Sequence, residues 1–286
     1  MRTTSFRYTR ATSVEDALAA LADGGMVLAG GQSLVQTMKL RQASPEHLVD
    51  VNGVEDLTGI EAAGHGLRIG SLVRHHEIAR SETVRERFPW LAAAAAQIGD
   101  VQVRNRGTVG GNLCFADPRA NLSPVLIALG AEVEIRGAGA ERRAPVEQLF
   151  GGFRTNTLAA GELVTAIHVP DWGEAVRGGY REIARQPNGV PIVNVAFAAS
   201  GTGDRIGIAV GGIAERPLRA AGVESALAGG DPGDRDAVAA AVDRLDRADA
   251  APFGDLHGSA EYRLHVAKVL LRRLLNSDGP TEEARS

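Results

Sequence analysis

The sequence predicts an α+β fold in two parts, and three observations carry that prediction. The first fifty residues run strand, glycine turn, helix, strand. From about 60 to 170, strand-like and helix-like segments alternate and stop at Pro170. From 177 the pattern restarts with three strand-like segments joined by short turns, and helical segments follow.

The elements follow in order. "SVEDALAALADGG" opens with Ser13 and carries Asp16 three residues on, an acidic variant of the capping box. Val14, Leu18 and Leu21 share one helix face, and Gly24-Gly25 end it. "MVLAG" (26–30) reads as a strand, "QSLVQTMKLRQA" (32–43) as a helix and "HLVDV" (47–51) as a strand, which together imply a small parallel βαβ unit. "GLRIGSLV" (66–73) is a strand; "HHEIARS" and "RERFPWLAAAAAQIG" read as helices. "SPVLIALGAEVEIRG" (123–137) is a helix with Pro124 in its first turn, then a strand. "ELVTAIHVP" (162–170) is a strand, and a boundary falls near 172–176. Beyond it, "GGYREIARQ", "PIVNVAFAAS" and "DRIGIAVGGIA" form an antiparallel meander. "RPLRAAGVESALAG", "DRDAVAAAVDRLD" and "GSAEYRLHVAKVLLRRLL" read as helices, and the polar tail "NSDGPTEEARS" as frayed.

Composition narrows the function classes. A net charge of −4 gives no electrostatic reason to expect nucleic acid. A single cysteine, Cys114, makes an internal disulfide, a cysteine-rich zinc site and an iron–sulfur cluster impossible on this chain and fits a reducing compartment. The start "MRTTSFRYTRATS" has no apolar core, and "LAAAAA" (91–96) is far short of the roughly 20 residues that span a bilayer, so a cytoplasmic, soluble protein without membrane insertion is expected. The histidines, His47, His65, His75, His76, His168, His257 and His265, show no metal-ligand spacing. Neither Ser33 nor Ser123 has an evident base partner, which argues against a hydrolase.

Thirty-five glycines are more than the usual ~7%, and two clusters stand out. In "LAGGQSL" (28–34) a strand runs through Ala29, Gly30 and Gly31 into a helix starting at about Gln32 or Ser33, bringing free amides and the positive helix end to one spot. In "RNRGTVGGN" (104–112) the amides of Gly110 and Gly111 can form an anion nest, with Thr108 and Asn112 adding a hydroxyl and an amide. Each cluster has two open readings, an anion site or an ordinary tight turn. Arg104 and Arg106 fit a pyrophosphate or a surface carbonyl equally well. Two such loops in one domain suit a dinucleotide such as FAD.

At these residues the chain resembles the FAD-binding medium subunits of the molybdenum hydroxylases, including those of carbon monoxide and xanthine dehydrogenases. The motifs are "AGGQSLVQTMKLRQASPEHLVDV" (29–51), "RNRGTVGGNLCFADPRANLSPVLIALGAEVEI" (104–135), "GGIAERPLRA" (211–220) and "DLHGSAEYRLHVAKVLLRRLL" (255–275). The resemblance covers nearly the whole chain. It implies a two-lobed FAD-binding domain of the vanillyl-alcohol oxidase type over 1–174, with lobes at about 1–58 and 59–174. It also implies a smaller α+β C-terminal domain over 177–280 that completes the flavin pocket.

The resemblance carries residue roles with it. Ala29, Gly30, Gly31, Gln32, Ser33 and Leu34 match the first family loop; Thr108, Gly110, Gly111 and Asn112 match the second; both would contact the FAD pyrophosphate. Asp117 matches the family's A-D-P aspartate. Asn121 stands where the family often has an acid, and either would bond ribityl or ribose hydroxyls. Tyr180 would cover the flavin ring, and Arg181 would neutralise charge on reduced flavin. FAD is expected to be non-covalent, since small residues pack at the Cys114 position. The implied partners are a molybdopterin-binding large subunit and a [2Fe–2S] small subunit, as a dimer of heterotrimers. This chain would take electrons from the clusters and pass them to an external acceptor, so no catalytic acid or base is expected on it. A stand-alone FAD-dependent oxidase or dehydrogenase of a small molecule is the competing reading.

Overall fold

A computed structural model describes residues 3–63, 66–173, 175–228, 234–247 and 250–277. His65, Glu174 in the boundary segment, Gly229 and the tail from 278 lie outside the described residues.

In the first lobe β1 (Arg7–Arg10), α1 (Val14–Ala22), β2 (Met26–Leu28), α2 (Leu34–Lys39) and β3 (His47–Asp50) follow one another. The three strands form a parallel sheet in the order β1-β3-β2, so the expected βαβ unit is present as β2-α2-β3. β1 was not expected. Its sequence RYTR is almost wholly exposed and shows no apolar alternation. Ser13 caps α1 as its position predicts: the Asp16 amide donates to Ser13 Oγ at 3.1 Å. Val14, Ala17 and Leu21 then bury against Val49 and Val51. The helix expected over 32–43 is only the six residues of α2, because Arg41 turns left-handed at φ 61°.

The second lobe starts with β4 (Ile60–Ala63) and β5 (Gly66–Gly70). Six short helices follow: α3 (His75–Arg80), α4 (Glu82–Arg87), α5 (Pro89–Ala96), α6 (Val101–Arg106), α7 (Val109–Phe115) and α8 (Leu122–Ala128). β6 (Glu132–Gly137), β7 (Ala140–Pro145), β8 (Phe150–Gly152), β9 (Thr155–Asn156) and β10 (Leu163–Val169) complete it. β4-β5-β10-β6-β7 is an antiparallel sheet that brings β5 beside the distant β10. The strand expected to reach residue 73 stops at Gly70, and the single helix expected over 85–99 breaks at Phe88–Pro89. The proline lacks the amide that would continue α4 and excludes helical backbone before it; Phe88 sits at φ −139°.

The C-terminal part is the expected meander, β11 (Arg177–Ala184), β12 (Pro191–Ala199), β13 (Ile206–Gly211) and β14 (Leu218–Arg219), all antiparallel in chain order. α9 (Ala221–Leu227), α10 (Arg235–Asp243) and α11 (Ala260–Leu275) follow. The helix expected from Arg216 begins only after β14. Strand alternation splits the sheet into two buried faces. Tyr180, Ala196, Ala198 and Ala209 join the core that holds α5 and α8. Val193, Val195, Phe197, Ile208 and Val210 join the core under α9, α10 and α11. α8 is buried along its whole length, which is why its sequence is apolar all round. No described helix is long and apolar enough to cross a membrane.

Candidate cofactor site

β2 ends where Leu28 accepts a bond from the Val51 amide at 3.1 Å, and the chain then turns through Ala29-Gly30-Gly31-Gln32-Ser33. Gly31 takes φ 73°, a conformation that favours glycine. The amides of Gly30, Gly31, Gln32, Ser33 and Leu34 have no acceptor among the described residues. The Ser33 side chain makes no cap bond to its own helix. Beside this turn lies a cleft of about 300 Å³ lined by Leu28 to Gln32, by Val35, Gln36 and Lys39 of α2, by Asp50 and Asn52, and by Arg106. Free amides with Lys39 and Arg106 at hand suit an anion.

The second glycine cluster differs from expectation. It is not a loop: Thr108 caps α7, and Gly110 and Gly111 lie in its first turn. Nor are its amides free. Val109 donates to Val73 O (3.0 Å), Gly110 to Ser71 O (2.9 Å), Gly111 to Thr108 Oγ1 (3.1 Å) and Asn112 to Thr108 O (2.9 Å). The strand end after β5 has taken the donors an anion nest would need. Gly110 is required for packing, since a Cβ there would lie 2.6 Å from Ser71 Cβ and 2.8 Å from Ser71 O. What this turn still offers is the Thr108 hydroxyl proton and Asn112 Oδ1, which is buried without a partner. The two arginines also separate. Arg104 Nη1 caps the carbonyls of Ile98 (3.1 Å) and Gly99 (2.6 Å), whereas Arg106 faces the cleft.

The two clusters touch. A Cβ on Gly30 would come 2.2 Å from Arg106 O and 2.9 Å from Gly107 Cα. Two residues that the sequence did not single out brace this junction. Asn52 Nδ2 donates to Ala29 O (2.9 Å) and Asp50 Oδ1 (2.6 Å). Arg74 donates through Nη2 to Asn52 Oδ1 and through Nη1 to Arg106 O, both at 2.6 Å. The Asn52-Gly53 pair is a turn signal that marks the first brace; Arg74 carries no local signal.

A third group lies where the second lobe meets the meander. Asp117 was expected to bond cofactor hydroxyls, but its oxygens are taken. Oδ1 accepts from Arg119 N (3.1 Å) and Nε (3.0 Å), and Oδ2 from Arg119 Nη2 (3.2 Å) and Arg154 Nη2 (3.1 Å). Burial pushes its carboxyl up, but the bonds and charge of Arg119, with Arg154, hold it below the ordinary aspartate value. Asn121 Nδ2 donates to Glu182 Oε2 at 2.5 Å, and Tyr180 Oη makes a still shorter bond to the same oxygen. Tyr180 is buried. Arg181 does not join this group. It pairs with Val195 in register and so lies on the opposite face of the sheet from Tyr180 and Glu182. Glu182 is the residue the sequence reading passed over, although strand parity places it beside Tyr180.

Comparison with known proteins places the whole chain in a family. Residues 4–172 match the FAD binding domain in molybdopterin dehydrogenase, and residues 178–277 match the CO dehydrogenase flavoprotein C-terminal domain. The chain belongs to the FAD-binding subunits of the molybdopterin dehydrogenases. It is 35% identical over 282 residues to 6-hydroxypseudooxynicotine dehydrogenase complex subunit alpha of Paenarthrobacter nicotinovorans, covering 96% of this chain and 95% of that one. It is 34% identical to the carbon monoxide dehydrogenase medium chain of Hydrogenophaga pseudoflava, covering 95% and 96%. A chain in the solved structure of carbon monoxide dehydrogenase from Hydrogenophaga pseudoflava superposes with a TM-score of 0.91 at 34% identity, covering 96% and 98%. FAD is thus the cofactor of this flavoprotein subunit, and the unpaired amides of the first turn and the buried acceptor of Asn112 fit such a group.

Two titratable groups beside the second turn of the flavoprotein subunit are electrically quiet. Burial pushes the Cys114 thiol up to about 12, so no thiolate forms near neutral pH. Burial, with the charges of Arg74 and Arg104, pushes the His75 imidazole down to about 4. Its folded value lies below its unfolded value of about 6.5, so the unfolded chain binds the proton first. The contribution is full above pH ~6.5 and is lost as pH falls toward 4, by up to about 3 kcal/mol. The fall in Tm between pH 7 and 4.5 should be smaller in His75→Gln than in the parent protein; equal falls would refute this role.

Proposed function

We propose that this chain is the FAD-carrying electron-transfer subunit of a molybdenum hydroxylase. It takes electrons from [2Fe–2S] clusters of a small partner subunit and passes them to an external acceptor. The partner that oxidises substrate is a molybdopterin-binding large subunit, and the assembly is a dimer of heterotrimers in the cytoplasm. The observation that carries this reading is the end-to-end likeness to the medium chain of carbon monoxide dehydrogenase, with family matches to both parts of the chain. We place the FAD-binding domain at 1–174, with lobes meeting near residue 58, and the second domain at 177–280.

Bound FAD supplies the chemistry, because flavin exchanges electrons one or two at a time. The chain's own residues bind and orient it. The amides of Gly30 to Leu34 and the Ser33 hydroxyl receive the pyrophosphate, and Ala29 lines the cleft beside them. Lys39 and Arg106 offset its charge. Thr108 and Asn112 contribute side-chain polar groups, while Gly110 and Gly111 allow α7 to pack tightly enough to present them. Asn121 bonds the cofactor's hydroxyls. Asp117 supports the site at one remove by holding Arg119 and Arg154. Cys114 is held neutral, in keeping with non-covalent FAD.

Purifying the complex through a tag on this chain tests the reading. The expected preparation is yellow, releases FAD on denaturation, and contains a molybdenum subunit and a [2Fe–2S] subunit. A colourless chain that cannot be reconstituted with FAD would overturn the flavoprotein assignment. An FAD-loaded chain that turns over a small substrate alone, with no partners, would establish the stand-alone oxidase instead.

A further inference from the structure

Asn121 occupies the N-cap of α8, yet its side chain makes no bond to that helix. An asparagine at this position ordinarily accepts from the helix amides. Here Nδ2 reaches across to β11 and donates to Glu182 Oε2 at 2.5 Å. The same oxygen accepts from Tyr180 Oη, and Tyr180 Oη lies 3.5 Å from Asn194 Nδ2. Asn194 Nδ2 also donates to Arg119 O at 3.0 Å and Ala120 O at 3.2 Å, the backbone leading into Asn121. The meander thus grips both the side chain of Asn121 and the backbone before it.

We propose that Glu182, backed by Tyr180, is a positioning residue that fixes the amide of Asn121 so that its carbonyl oxygen, rather than its NH₂, is presented to the cofactor's hydroxyls. This rests on the assignment of Asn121 to the FAD site made above. An amide can face either way, and only its partners decide which. Glu182 Oε2 is an acceptor in both protonation states, because a proton on the carboxyl would sit on the other oxygen. Nδ2 is therefore committed to Glu182. Asn121 Oδ1, which has no hydrogen bond among the described residues, is left to accept. The arrangement also accounts for an amide at a position where an acid would be unfavourable. Two carboxyl oxygens at 2.5 Å would repel unless they shared a proton.

The test is an exchange of the two groups, read as the Kd for FAD added to the deflavinated protein. Asn121→Asp alone is expected to weaken FAD binding at least tenfold. Combining it with Glu182→Gln puts a donor back opposite the new carboxylate and is expected to restore Kd to within about threefold of the parent. A residue that merely fills space would give no such rescue. Double-variant binding no tighter than that of Asn121→Asp overturns the proposal, as does unchanged binding by Asn121→Asp. Should Asn121→Asp fail to fold, Tyr180→Phe removes one of the two donors to Glu182 without adding charge. With the apoprotein still folded by its thermal transition, its FAD affinity is expected to fall severalfold, and an unchanged affinity overturns the proposal. Gly30→Val, measured in parallel, separates the two claims. FAD lost there but kept in Asn121→Asp rejects the positioning role alone; FAD kept in both rejects the site.

Discussion

Replacing Gly30 by valine is expected to strip the protein of FAD and to lower its stability by about 3 kcal/mol. The reason is contact with backbone. The first atom of any side chain at this position would lie 2.2 Å from the Arg106 carbonyl oxygen and 2.8 Å from its carbon. Backbone cannot swing aside as a side-chain tip can, so the glycine turn and the segment leading into α7 must separate. That separation would pull on the Arg74–Arg106 and Asn52–Ala29 bonds, which hold the two segments together. The cleft would lose its shape along with its floor. Gly24→Ala is the control. Unlike Gly30, Gly24 has positive φ, 73°, but nothing lies within 4 Å of a Cβ there. Only the backbone strain of roughly 1–2 kcal/mol is expected, with FAD retained. Flavin content per chain and Tm of the apoprotein read both effects. Full flavin in Gly30→Val with a Tm near the parent's would show that the two segments are not joined as described.

Replacing Arg263 by methionine is expected to cost about 4 kcal/mol, a fall in Tm of roughly 10 °C. This arginine is fully buried at the start of α11. Its guanidinium donates to Gly258 O (3.1 Å), Gly212 O (3.2 Å) and Asp255 Oδ1 (2.5 Å), and makes a still shorter bond to Ile192 O. Methionine would fill part of the space and leave the carbonyls unmet in an apolar surrounding. Asp255 would keep Arg119 Nη1 at 3.1 Å, so its charge would not be stranded. The carbonyls, not the carboxylate, therefore set the size of the effect. Arg263→Lys keeps the charge but lacks the planar fork that reaches several acceptors at once, so it should recover less than half of the loss. A methionine variant within about 1 kcal/mol of the parent by denaturant unfolding would show that these bonds add little.

Much of the frame is legible from local chemistry. The Ser13 cap, the Pro89 break, the glycine turn after β2 and the apolar run of α8 each act within a few residues of themselves, so reading along the chain finds them. β1 and β7 are exposed and polar, and they become strands only because an apolar neighbour accepts their hydrogen bonds. The parity of "YREIA" was also available. Side chains alternate along a strand, so Tyr180 and Glu182 had to share a face that excludes Arg181.

The glycine clusters mark the other limit. Both read as loops rich in free amides, and both read as halves of one clamp. The family and its cofactor came from the resemblance of the motifs at 29–51 and 104–135, whereas composition and turns alone left each cluster open. Which donors remained free depended on residues far away. Ser71 and Val73 consume the amides of Gly110 and Val109, whereas no described residue reaches those of Gly30 to Leu34. The carboxylate of Asp117 is likewise engaged by Arg119 nearby and by Arg154, 37 residues on. A hydrogen-bonding group is spent on the first good partner that folding brings to it. Local sequence names the group, and the packing of distant segments decides whether anything is left for a ligand.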